Sequence, residues 1–345
     1  MDREQQSIRI GLTVIACAVV LRLLSAGVPQ SVAALVQEPK VASFLVYLQT
    51  GRVVRTDVPV IAPAPEQTTP ALEETVLEDP TQPQQDDQQV VFQPEDAQAV
   101  AVSAYNGYSV DVTSLLLSQL DWKLGADEPT VLILHTHATE SYRKTEGETY
   151  EESSAYRTLD IDHNMVRVGE QLAQLLQQNG ISVIHDTTFH DYPSYNDSYN
   201  NARKTMESYL AQYPSIQLVL DIHRDAAELS AGKQLTTHAL AGGAESSQLM
   251  MVVGTNANGL HHPDWQKNMA LAIKLHALLE KENPGICRPI SFRAERFNQD
   301  LSPGALIVEV GAAGDTMAQA LTAVQALGDA ISALGSGYVT ADSTS

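Results

Sequence analysis

Three apolar runs in this chain each end on residues of the kind that bind metals or move protons. Val131-Leu132-Ile133-Leu134 leads into His135-Thr136-His137-Ala138-Thr139-Glu140. Leu218-Val219-Leu220-Asp221-Ile222 leads into His223-Arg224-Asp225, and Ala305-Leu306-Ile307-Val308 into Glu309. A strand with one wet face alternates apolar and polar residues, whereas these runs are almost continuous. They therefore read as strands covered on both faces by helices. Such a sheet collects its functional side chains in the crevice outside the strand ends.

The intervening segments supply the helices. Met165, Val168, Leu172, Leu175 and Leu176 keep helical spacing over His163–Gln178, and Asn179-Gly180 closes that helix. Further helices are expected over 198–213, 264–281 and 315–334, and further strands over 181–185 and 248–253. The alternation predicts a three-layer α/β/α domain running from about Tyr105 to Leu334, with a flexible tail over 335–345.

Within the first strand end, His137-x-x-Glu140 offers an imidazole and a carboxylate at close sequence spacing. A catalytic zinc takes three N/O ligands and keeps one position open, and His223 would be the third ligand. His135 is an alternate ligand. Glu309 follows four apolar strand residues, so its carboxylate must face a cleft or be paired. It is the expected general acid-base. Asp221 or Asp225 would orient His223 from behind, and Arg224 would polarise a carbonyl or hold a substrate carboxylate.

The net charge of −21 gives the chain no electrostatic reason to bind nucleic acid. Cys17 and Cys287 are the only cysteines, too few for a disulfide framework or a cysteine zinc site. Residues 8–27, IRIGLTVIACAVVLRLLSAG, are long enough to cross a hydrocarbon core of about 30 Å. Arg3 and Arg9 on the short N-terminal side favour a cytoplasmic N-terminus over residues 1–7. The expectation is an uncleaved single-pass signal anchor in the cell membrane, with the catalytic domain outside. Residues 28–60 then form a juxtamembrane segment. Residues 61–100 hold six prolines, eight glutamines, nine acidic residues and no Lys or Arg, the composition of a disordered tether.

Four separated segments, HTHATESY, HDYPSYNDSY (His190 to Tyr199), DIHRDA (Asp221 to Ala226) and FNQDLSPGALIVEVG (Phe297 to Gly311), resemble the stage II sporulation protein P family. The resemblance spans roughly Tyr105 to Leu334. It implies the phosphorylase/hydrolase-like α/β fold of zinc N-acetylmuramoyl-L-alanine amidases and, more distantly, zinc carboxypeptidases. It also implies cleavage of the N-acetylmuramoyl-L-alanine amide bond of peptidoglycan, a second activity on peptide cross-links, and thinning of septal wall during engulfment alongside stage II sporulation proteins D and M. Carried over by motif, the zinc ligands fall on His137, Glu140 and His223 and the acid-base on Glu309. Asp160 or Asp162 would replace Glu140 if the amidase spacing applied. Two other readings of the same residues are a zinc peptidase trimming stem peptides and a wall-binding module without activity.

Overall fold

The computed structural model describes residues 89–120, 122–230 and 232–340. The expected anchor, juxtamembrane segment and most of the tether lie outside the described residues. No helix among the described residues is long and apolar enough to cross a membrane.

In chain order the elements are β1 (Val90–Phe92), β2 (Val102–Ala104), α1 (Val112–Leu117), β3 (Val131–Leu134), α2 (Met165–Gln178), β4 (Val183–His185), α3 (Ser198–Gln212) and β5 (Leu218–Asp225). Four short strands follow as two hairpins: β6 (Glu228–Ser230) with β7 (Lys233–Gln234), and β8 (Ala239–Ala241) with β9 (Ala244–Ser246). Then come β10 (Leu249–Val253), α4 (Trp265–Glu282), β11 (Ile290–Phe292), β12 (Ala305–Ala312), α5 (Met317–Gly335) and β13 (Tyr338–Thr340).

Seven strands form the central sheet in the order β2-β11-β10-β12-β5-β3-β4. Neighbours are parallel except at β10 and β12, which run antiparallel. The carboxyl ends of β3, β5 and β12 therefore share one edge, and those of β10, β11 and β2 lie at the other. On β3, Val131 and Ile133 pack into the large core shared with α2, α4 and α5, while Leu132 and Leu134 pack with Ala202 and Met206 of α3. Burial on both faces explains the near-continuous apolar strands, and helices lie on both sides of the sheet. Asn164 caps α2 by accepting from Val166 N, and Thr316 caps α5 by accepting from Gln319 N.

Two expected boundaries are corrected. The tether does not extend to Val100, because β1 pairs in parallel with β13 and a 3-10 turn follows over Pro94–Ala99. Phe92 is buried, and Lys274 of α4 places its ammonium over the Phe92 and Tyr338 rings. Phe92 lies in the main core, and Val90, Ala97 and Val100 pack against it, so this polar stretch carries more apolar anchoring than its composition suggests. The tail is corrected for the same reason, since Tyr338–Thr340 is a strand rather than flexible chain.

Candidate functional site

β5 and β12 lie side by side in parallel, and their register places Glu309 directly opposite His223. β3 lies on the other side of β5, with Leu134 opposite Asp221. In a continuing strand His135 and His137 would share a face. The strand ends at Leu134, however, and the turn that follows separates the two rings. His137 comes to stand edge-to-face against His223, with ring centroids 5.3 Å apart. Glu140 Oε2 lies 3.7 Å from His223 Nδ1. Residues 137, 140, 223 and 309 thus meet at one edge of the sheet.

Each is held from behind. His223 Nε2 is in ion-pair contact with Asp221 Oδ1 at 2.9 Å, and Asp221 accepts hydrogen bonds from Thr136 N (2.7 Å) and Thr136 Oγ1 (2.6 Å). Asp221, rather than Asp225, orients the histidine. Asp225 accepts from Arg288 Nη1 at 2.6 Å and from Ala227 N at 2.9 Å. Glu140 Oε1 accepts from Arg157 Nη2 at 3.2 Å and lies 3.5 Å from Arg224 Nη1.

Arg224 corrects the expectation that it would meet substrate. It is buried beneath Glu140, where Nε donates to Ser141 O at 3.0 Å and Nη2 to Tyr156 O at 2.9 Å. Strand alternation sends it to the opposite face from His223. Its charge supports Glu140 instead of reaching the cleft. The alternate ligand His135 is also committed elsewhere. Its Nδ1 donates to Ile222 O at 3.0 Å, which leaves Nε2 to accept from His185 Nε2 at 2.9 Å. Gly169 of α2 backs this pair, and a Cβ there would stand 2.6 Å from both Nε2 atoms. Asp160 lies 3.3 Å from His163 Nδ1 in an ion pair outside the cluster, and Asp162 is exposed.

The electrostatics separate the roles. Burial, with the charge of His223 beside it, lowers the pKa of His137 to about 4, so its ring is neutral at pH 7. Burial also disfavours charge on His223, but Asp221, Glu309 and Glu140 outweigh it and raise that histidine to about 10. Burial opposes the charge on Glu140 too, and Arg224, His223, His137 and Arg157 together hold its carboxyl below the usual value. Glu309 is the exception. Burial, reinforced by Glu140 and Asp225, pushes it up to about 8 against the pull of His223 and Arg224.

Among the described residues, no three His, Cys, Asp or Glu side chains stand close enough as placed to hold a metal ion. The donors nevertheless fit zinc in kind: two imidazoles, each with an aspartate beside one ring nitrogen, and a carboxylate, His137 Nδ1 on the Asp191 side being buried without a hydrogen-bond partner. Glu309 Oε2 is likewise buried and unpartnered.

The sequence reading assigned no role to several neighbours. Tyr195 stacks on His137 at 4.7 Å, Tyr199 meets the same ring edge-on at 5.7 Å, and Asp191 Oδ2 lies 3.9 Å from His137 Nδ1. All three belong to the His190–Tyr199 segment, whose clustered acidic and aromatic residues were the available signal.

The fold and the cluster together define an α/β protein with a His-Glu-His cluster beside a half-buried glutamic acid. The sequence profile of stage II sporulation protein P matches residues 45–332, and the chain belongs to that family. Stage II sporulation protein P of Bacillus subtilis (strain 168) is 29% identical over 220 residues, covering 60% of this chain and 51% of that protein. The chain thus spans about half the length of that curated relative. Among solved structures, an N-acetylmuramoyl-L-alanine amidase of Nostoc punctiforme is 12% identical with a TM-score of 0.36, over 60% of this chain and 97% of that one. An N-acetylmuramoyl-L-alanine amidase from Clostridium difficile 630 is 15% identical with a TM-score of 0.35, over 60% and 96% of the two chains.

Proposed function

We propose that this protein is a zinc-dependent peptidoglycan hydrolase that cleaves the N-acetylmuramoyl-L-alanine amide bond during sporulation. The observation that carries the reading is the meeting of His137, Glu140 and His223 beside Glu309 at the ends of three strands. A wall-binding module has no use for a half-buried carboxyl group with one sealed, unpartnered oxygen in register with a histidine. His137, Glu140 and His223 would hold the zinc. When bound, it supplies the positive charge that polarises an amide carbonyl and makes a water acidic.

The chain's own residues do the rest. Glu309 takes the proton from the attacking water and passes it to the departing alanine nitrogen. Burial raises the carboxyl of Glu309 above its ordinary value, which favours its taking up a proton. Asp221 keeps His223 in one orientation throughout, and Arg224 with Arg157 balances the charge of Glu140. In this reading residues 8–27 anchor the protein in the cell membrane with the site on the outer face. The family assignment favours action alongside stage II sporulation proteins D and M.

Digestion of purified sacculi tests the proposal. An amidase releases stem peptides with a free L-alanine amino terminus and leaves the glycan strands intact. His223→Ala should lose both zinc and this activity. Products cut only within the stem or cross-link would make the protein a peptidase. Full zinc occupancy in His223→Ala would refute the ligand set.

A further inference from the structure

Outside the cluster, Asp191 and Arg157 form a densely bonded pair of charges. Asp191 is buried, and an unpaired carboxylate there would be costly. Its Oδ2 accepts from Thr139 Oγ1 at 2.5 Å and from Arg157 Nη1 at 2.7 Å. The same atom lies 3.9 Å from His137 Nδ1, the buried imidazole nitrogen that has no hydrogen-bond partner. The backbone fixes Asp191 in place. His190 next to it donates from Nδ1 to His135 O (2.8 Å) and accepts at Nε2 from Thr205 Oγ1 (2.9 Å), and Asn201 Nδ2 donates to His190 O.

Arg157 reaches the second ligand. Glu140 and Arg157 face each other across an isolated antiparallel bridge, with Ser141 N donating to Tyr156 O at 2.9 Å. From that position Nη1 binds Asp191 and Thr139 while Nη2 donates to Glu140 Oε1. The guanidinium thus occupies one carboxylate oxygen, and Oε2 is the one nearer His223. Tyr195 covers the assembly, with its ring stacked on His137 and the Arg157 guanidinium 4.8 Å from its centroid.

The other histidine has a closer version of this arrangement, with Asp221 Oδ1 2.9 Å from its Nε2 against 3.9 Å from Asp191 to His137 Nδ1. Asp221 stands behind His223, and Asp191 stands in the corresponding place behind His137. Imidazoles that bind metals usually give their second nitrogen to a carboxylate or carbonyl, which fixes the ring and raises its basicity. We propose that Asp191 and Arg157 are a positioning pair: Asp191 orients His137 through Nδ1, and Arg157 restricts Glu140 to a single metal-facing oxygen. The inference rests on the zinc reading above and names no residue that touches substrate.

The experiment uses the full chain and reads zinc affinity by competition with a chromophoric chelator, together with the visible spectrum of the cobalt-substituted protein. Asp191→Asn keeps the shape and can still accept from Thr139, but it loses the charge that faces His137. Loss of such a partner typically costs about 10–100-fold in metal affinity, so a drop of that size and an altered cobalt spectrum are expected. The unfolding midpoint of the metal-stripped protein should stay close to wild type. Should Asp191→Asn fail to fold, Arg157→Lys decides, because it keeps a cation beside Asp191 but gives up the fork to Glu140. A purely structural role predicts a lowered midpoint with unchanged affinity in the folded fraction, and that result overturns the proposal. Wild type that binds no zinc sinks this inference and the zinc reading together. Wild type that binds zinc but leaves sacculi intact sinks only the hydrolase reading.

Discussion

Replacing Glu309 by glutamine should make the protein slower and, at neutral pH, more stable. The carboxyl group of Glu309 is held up to about 8 by burial and by its neighbours Glu140 and Asp225, against an ordinary value of 4.5. The sign follows from proton counting. As pH rises from 4.5 to 8, the unfolded chain gives up this proton while the folded chain keeps it, so stability falls across that window. At about 1.36 kcal/mol per pH unit, the loss accumulated by pH 7 has an upper limit of about 3 kcal/mol. The side chain is only partly buried although Oε2 is sealed from solvent, so water screens some of this, and about 1–3 kcal/mol is expected. Glutamine carries no proton to lose and removes the penalty.

The assay is urea unfolding of metal-stripped wild type and Glu309→Gln at pH 7 and pH 4.5. The variant should be more stable at pH 7, and the gap should close at pH 4.5. Hydrolysis of sacculi should fall by about 10²–10⁴-fold, the usual contribution of a general acid-base group, with zinc content unchanged. Equal stabilities at pH 7 would refute the electrostatic argument. Near-normal turnover would refute the catalytic one, and loss of zinc would make Glu309 a ligand.

Gly169→Ala should destabilise the fold by about 1–3 kcal/mol, although alanine favours a helix, because its Cβ would drive His135 and His185 apart. Urea unfolding checks it, and a stabilised variant would refute it. Phe92→Ala should cost about 3–5 kcal/mol by the same measurement, since Phe92 is 2% exposed and packs in the main core. A loss below 1 kcal/mol would return this segment to the tether. Burial lowers His135 to about 3 and His185 to about 4, so the unfolded chain binds more protons than the folded one below pH 6.5. Stability of the metal-stripped protein should therefore fall as pH drops from 6.5 toward 4, and His185→Gln should flatten that slope.

What could be read from the sequence was what local pattern determines. Near-continuous apolar strands and helical spacing located β3, β5, β10, β12 and α2 to α5 to within a few residues, because burial on both sheet faces leaves its mark on every residue of a strand. Three-residue β11 carries too few positions to show a pattern, and β1 sits in a stretch whose composition is otherwise that of a tether. Strand direction is invisible locally. The antiparallel step at β10 and β12 comes from how distant segments pair. His137, Glu140, His223 and Glu309 stood out because each lies within or a few residues beyond one of three apolar runs.

Arg224 was misplaced for a reason the sequence did contain. A strand turns successive side chains to opposite faces, so a residue next to His223 in β5 is the one least able to share its cleft. What the strand gives it instead is the far side of Glu140, where its charge, together with Arg157, stabilises a carboxylate that burial alone would protonate. Glu309 lies near that carboxylate with no arginine among the described residues at bonding distance, and its pKa moves the opposite way. Two glutamates at one sheet edge are thus set apart, one with its carboxyl held low and the other with its carboxyl held high, by where the cations stand.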